Sequence, residues 1–140
     1  MNFEECLRRN LIRKDENAME RVEKSLGISN RFLESARKNL EIEEYEMAEI
    51  AAYNAIFHVA RALLFSKGYV ERSHACLIVA LKHLYRDDLE LIEYFNAFDR
   101  IRLSRHNIQY GGITTDKCEA EYVLNFARKF LETVKGILNK

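Results

Sequence analysis

Proline is absent from this 140-residue sequence and glycine occurs only five times, while Leu, Ala, Glu, Lys and Arg are abundant. That is the composition of an all-helical protein. Net charge is also missing: 22 basic residues balance 22 acidic ones, so no whole-molecule field draws the chain to nucleic acid or an anionic membrane. Any nucleic-acid site must be local. The three cysteines, Cys6, Cys76 and Cys118, are far apart, odd in number and without C-x-x-C spacing, which excludes the usual zinc and redox motifs. They read as reduced, buried small hydrophobes. No apolar run reaches the ~18–20 residues of a membrane span, and the amino terminus carries Glu4 and Glu5 rather than an apolar leader. A soluble, cytoplasmic protein with no membrane contact is expected. Walker, G-x-G-x-x-G, H-E-x-x-H and G-x-S-x-G motifs are all missing, which removes the common nucleotide-fold and hydrolase readings.

What is present is helical periodicity. With 48% hydrophobic and 31% charged residues, 140 residues can bury a core without staples and are read as one domain, 1–140. A first helix is expected from about Asp15 to Leu26, capped by Gly27, and a second begins at Ser29 with Leu33, Ala36 and Leu40 facing inward. Tyr45 to Ser66 is apolar around most of its circumference and reads as the buried central helix, ended by Gly68. Ser73 caps a shorter helix to about Tyr85. Another runs from about Asp88 to the pair Gly111-Gly112, and Thr115 caps the last, whose apolar residues extend from Tyr122 to Leu138. Short connections between amphipathic helices predict an up-and-down bundle of four to five antiparallel helices. The girth of the central helix predicts a second subunit as its cover, hence a homodimer.

The chemistry concentrates in Arg100-Ile-Arg-Leu-Ser-Arg-His-Asn-Ile-Gln-Tyr-Gly-Gly112. Arg102, Arg105, His106 and Gln109 follow the i, i+3, i+4, i+7 spacing of one helical face, which suits a phosphate. Metal-free ribonuclease chemistry needs a proton carrier such as His106 and a fixed cation such as Arg105 or Arg100. Tyr110 follows the basic face and can pack on a ribose or base, or close the turn. The competing reading is a solvated helix end whose arginines are neutralised by Asp99 and complement the helix dipole.

His58 and Arg61 interrupt the central helix, either as a polar pocket or as a hydrogen-bonded histidine beside a snorkelling arginine. Glu71-Arg-Ser-His74 matches the E-x-x-H spacing of di-iron bundles, but no second copy occurs, so no metal and no cofactor are expected. His74 fits better as a first-turn residue contributing to an anion site.

Ala51-Ala-Tyr-Asn-Ala-Ile-Phe-His-Val-Ala-Arg-Ala-Leu-Leu64, followed by Gly68 and His74, resembles the central helix and following loop of HEPN domains (higher eukaryotes and prokaryotes nucleotide-binding). The likeness extends from about Leu11 to the C-terminus, and is greatest with the small prokaryotic branch. It implies a homodimeric helical bundle, often paired with a minimal nucleotidyltransferase in a toxin–antitoxin system, that binds RNA or nucleotide phosphate. Active members carry an Arg, four to six residues, then His, the motifs of two subunits meeting at the dimer axis. Arg100 and His106, separated by five residues, satisfy that spacing. The nearer branch instead reads Arg-Asn-x-Ala-Asp-Tyr-Gly, which aligns Arg105 with the family arginine, Gln109 with the aspartate and Tyr110 with the tyrosine. No histidine then stands in the catalytic slot. Ribonuclease activity and a catalytically silent partner of a nucleotidyltransferase both remain open.

Overall fold

The structure is a computed structural model and describes residues 1–139. Its elements run α1 (Phe3–Arg8), β1 (Ile12–Lys14), a 3-10 turn (Ala18–Arg21), α2 (Val22–Glu41), α3 (Tyr45–Ser66), β2 (Tyr69–Glu71), α4 (His74–Leu84), α5 (Leu89–Tyr110) and α6 (Lys117–Leu138). The expected all-α bundle is present: four long helices and the shorter α4 surround one continuous apolar core.

Two helices expected at the start are one. Gly27 does not cap anything; α2 passes through it, leaving it exposed in mid-helix. Ser29 is not a cap either. It is fully buried and donates to the Ala55 carbonyl at 2.8 Å, while Ser25 donates to the His58 carbonyl at 2.7 Å. Those two bonds run in opposite directions along the two helices and fix α2 antiparallel to α3. Small residues on α3 (Ala48, Ala51, Ala52, Ala55) let the backbones approach closely.

The turn between them uses Glu43 in the left-handed region at φ 62°. Its N–H bonds to the Leu40 carbonyl and the Glu44 N–H to that of Asn39, the paired bonds of a Schellman cap with glutamate where glycine is usual.

α3 is the central buried helix, as its composition predicts, and Gly68 at φ 84° ends it. Helices α2, α4, α5 and α6 of the same chain cover it. The premise that its girth demands a second subunit therefore fails. Ser73 caps α4 as expected, accepting from the Cys76 N–H at 3.2 Å. Asp116, not Thr115, caps α6, because the Thr115 hydroxyl is committed elsewhere. Tyr122, expected inside, is half exposed.

The amino-terminal arm was not legible as structure. β1 pairs antiparallel with β2, Ile12 opposite Glu71 and Lys14 opposite Tyr69. This ribbon brings α1 onto α4, where the Phe3 ring stacks on His83 at 4.5 Å and meets Tyr69 edge-on at 5.7 Å. The docking also corrects the reading of the cysteines. Cys6 and Cys76 form a disulfide across a separation of 70 residues, and Cys118 is exposed. Folding, not spacing, makes the pair.

Among the described residues no helix is long and apolar enough to cross a membrane.

Candidate phosphate-binding site

Asp88 starts α5, accepting from the Leu91 N–H at 3.0 Å, and Leu91, Phe95, Phe98 and Ile101 bury its first half. Beyond Ile101 the inward residues turn polar, and a different anchor takes over. Glu49 of α3, fully buried, accepts from Ser104 at 3.1 Å and from Thr115 at 2.8 Å. It ties both the end of α5 and the loop after it to the central helix.

That anchor sets Arg105 against α3. The guanidinium lies 4.6 Å from the Tyr53 ring centroid, close enough for cation–π attraction, and Nη1 donates to Gln109 one turn on. Its Nε is buried and has no hydrogen-bond partner among the described residues. Arg102, one turn earlier, pairs with Asp99 at 3.0 Å.

Tyr53 carries the site onward. Its hydroxyl is 2.7 Å from His74 Nδ1, and the imidazole stacks on Phe57 at 4.1 Å. Burial raises the Tyr53 pKa, only partly offset by Arg105 and Arg102, so the phenol keeps its proton. Burial, then Arg105, Arg102 and Arg61, lower that of His74, so the imidazole is neutral. The phenol and the neutral imidazole therefore share one short hydrogen bond, Tyr53 hydroxyl to His74 Nδ1, with neither group charged. His74 is the first residue of α4, where unpaired backbone N–H groups already favour an anion.

The structure thus joins Arg105, Gln109, Arg102 and His74 around Tyr53. It does not join the other candidates to them. His106 is exposed and leans on the Tyr110 ring at 5.0 Å, both outside the Arg105 cluster. Arg100 is exposed on yet another side of α5, lining a groove with Asn107, Thr114, Thr115 and Asp116. Arg100, Arg105 and His106 therefore diverge within one chain, and the Arg100–His106 spacing makes no pair there. Glu71 and His74 are likewise separated: Glu71 bonds Arg61 Nε at 2.8 Å while His74 serves Tyr53.

Sequence reasoning missed Glu49, Tyr53 and Phe57 as parts of the site, reading them as helix interior. A signal was available. Positions 49, 53, 57, 61 and 65 form one i+4 row of α3, and the row carries Glu, Tyr, Phe, Arg and Phe on a helix otherwise rich in alanine and aliphatics.

An all-helical bundle that presents arginines, a neutral histidine and a helix start at one junction is a small helical domain with a candidate anion site. The chain belongs to the HEPN domain family, whose model matches residues 22–137. The match begins at the first residue of α2, so α1, β1 and the 3-10 turn lie outside it. A Methanocaldococcus jannaschii protein named "putative toxin" is 31% identical over 134 residues, spanning 93% of this chain and 96% of that protein. A protein of Archaeoglobus fulgidus named UPF0332 protein is 27% identical over 126 residues, spanning 87% of this chain and 98% of its own length.

Proposed function

We propose that this HEPN-family protein engages RNA through its phosphates at the Arg105–His74 junction and acts as the toxin-like half of a two-component system. The observation that carries the reading is Arg105. Its guanidinium is held against Tyr53 and Gln109 with Nε buried and unpartnered, beside the start of α4. A fixed planar cation beside the first turn of a helix suits a phosphate oxygen. Arg102 adds charge, and Tyr110, 70% exposed beside His106, offers a face for a base or ribose. The name of the M. jannaschii relative is consistent with a toxin role.

Cleavage is the further step of this reading. It requires His106 to meet an arginine as proton carrier, and since the two diverge in one chain, a homodimer would have to bring them together. The divergence itself favours a second reading, in which the chain binds without cutting and partners a minimal nucleotidyltransferase.

Two measurements test both. Fluorescence anisotropy with a labelled single-stranded RNA is expected to show binding that weakens about tenfold or more in Arg105→Ala and is not restored by Arg105→Lys, because lysine lacks the planar fork. Unchanged affinity in Arg105→Ala removes the site. Incubation of the purified protein with RNA in EDTA then separates the readings: cleavage lost in both Arg105→Ala and His106→Ala supports the nuclease, and intact RNA at high protein concentration supports the silent partner.

A further inference from the structure

The α3 row that supplies Tyr53 and Phe57 does not stop there. Along its next two turns, cations and rings continue to alternate. The His74 ring lies between Tyr53, at 6.1 Å, and Phe57, at 4.1 Å; Arg61 sits 5.5 Å from the Phe57 centroid and 5.0 Å from that of Phe65; Arg21 stands 5.9 Å from Phe65.

At the far end of the row α2 and α3 enclose a cleft of about 340 Å³. Arg21, Lys24 and Arg61 supply three cations to its walls, with Phe65 and His58 between them and no carboxylate in the lining. Two acids stand behind these cations: Glu71 pairs with Arg61 Nε at 2.8 Å and Asp15 with Arg21 at 3.9 Å, which leaves Lys24 as the cleft's cation with no carboxylate partner among the described residues. His58 Nδ1 is buried and without a partner among the described residues. The cations around it are Arg61 on its own helix, Arg31 and Lys24 on α2, and Arg21 just before α2, while the His74 ring of α4 is neutral. Burial first, then Arg61 and Arg31, press the His58 pKa down to about 4, so near neutral pH it faces the cleft as an uncharged imidazole. An excess of cations beside an unsatisfied ring nitrogen is a site short of an anion.

We propose that this α2–α3 cleft is a second phosphate subsite, and that it and the Arg105 face are the two ends of one track holding single-stranded RNA along α3. The proposal rests on the reading of Arg105 as a phosphate contact. From Tyr53 to Phe65 α3 rises roughly 18 Å, the length of roughly five nucleotides of a stacked strand. Guanidinium groups spaced along that length suit a repeating phosphate chain better than a scattered acidic protein surface.

Single-stranded RNAs of 4 and 10 nucleotides provide the test. The unaltered protein is expected to bind the 10-mer about tenfold or more tighter than the 4-mer. Arg21→Ala/Lys24→Ala, at two exposed positions, is expected to abolish that gain while leaving the 4-mer unchanged. The same variant should lower the slope of log affinity against log salt by about 1.4, from about 0.7 per lost phosphate contact. An unchanged 10-mer affinity and slope in the variant overturns the track, as does a loss seen only with an acidic protein partner. Inorganic pyrophosphate decides the subsite without RNA: at pH 7 it should move the His58 ring ¹H–¹⁵N resonances in the unaltered protein and in Arg105→Ala alike. Unmoved resonances overturn the subsite. If they move while no RNA binds at any length, both the track and the RNA reading under Proposed function fall, and the cleft stands as an anion site alone.

Discussion

Glu49 is a fully buried carboxylate that pairs with no cation among the described residues; two hydroxyls are its partners. Burial is the largest influence on it and lifts its pKa above the ordinary 4.5, against the lowering by Thr115 and Ser104. The unfolded chain gives up this proton near 4.5 while the folded chain still holds it. Stability from Glu49 is therefore complete below about 4.5 and is lost as pH rises through the raised value. Thermal melts of the unaltered protein and Glu49→Gln between pH 4 and 8 should show an advantage of the unaltered protein that shrinks as pH rises; an advantage that grows with pH contradicts this account. Glu49→Ala, which leaves both hydroxyls without their acceptor, should cost about 2 kcal/mol near pH 4 and less as pH rises. At this scale the sequence was readable only where chemistry is local. Arg105 and Gln109 are four apart on one helix and declare themselves by spacing. Tyr53 and His74 are 21 residues apart, and their meeting depends on β2 and on the cap at Ser73.

α2 and α3 show how far periodicity reaches and where it fails. The extent of α3 follows from its composition and from Gly68, and the onsets of α4 and α5 from Ser73 and Asp88. Gly27 misled because glycine ends helices by offering a left-handed residue, and here the chain does not take that offer; Glu43 does instead. Tertiary packing, through the Ser25 and Ser29 bonds to α3, carries α2 past its glycine. Both positions can therefore be improved. A Cβ at Gly27 meets nothing within 4 Å, so Gly27→Ala should stabilise the protein by about 1 kcal/mol. Glu43→Gly removes the left-handed penalty at some cost in chain entropy, with a net gain of about 0.5–1 kcal/mol. Urea denaturation of the single variants checks both, and a lower midpoint in either would refute its account.

Across the whole molecule the HEPN core and the amino-terminal arm are different kinds of structure. The bundle class was legible because helix-forming composition, a girdled central helix and short connections all agree. The arm was not, since a three-residue strand has no periodicity to read and a disulfide spanning 70 residues has no spacing rule. Closing a loop of that length is worth about 4 kcal/mol in the chain-entropy model, with measured values typically 2–4. Reductant should therefore lower the melting temperature of the unaltered protein by several degrees and leave Cys6→Ser unmoved. Equal melting temperatures with and without reductant would show that the bond contributes nothing.

The ribbon gives that bond a local reading as well. β1 meets β2 through three residue pairs and α1 is tied to α4 by the disulfide, whereas α3 packs against α2, α4, α5 and α6. With fewer bonds holding it, the arm is expected to open before the bundle does. In hydrogen exchange, the ribbon amides of Arg13 and Asp15 would lose protection on reduction long before those of Ile56 or Val59. The cystine thus ties the arm to the first turn of α4, two residues from the His74 that faces the α3 row.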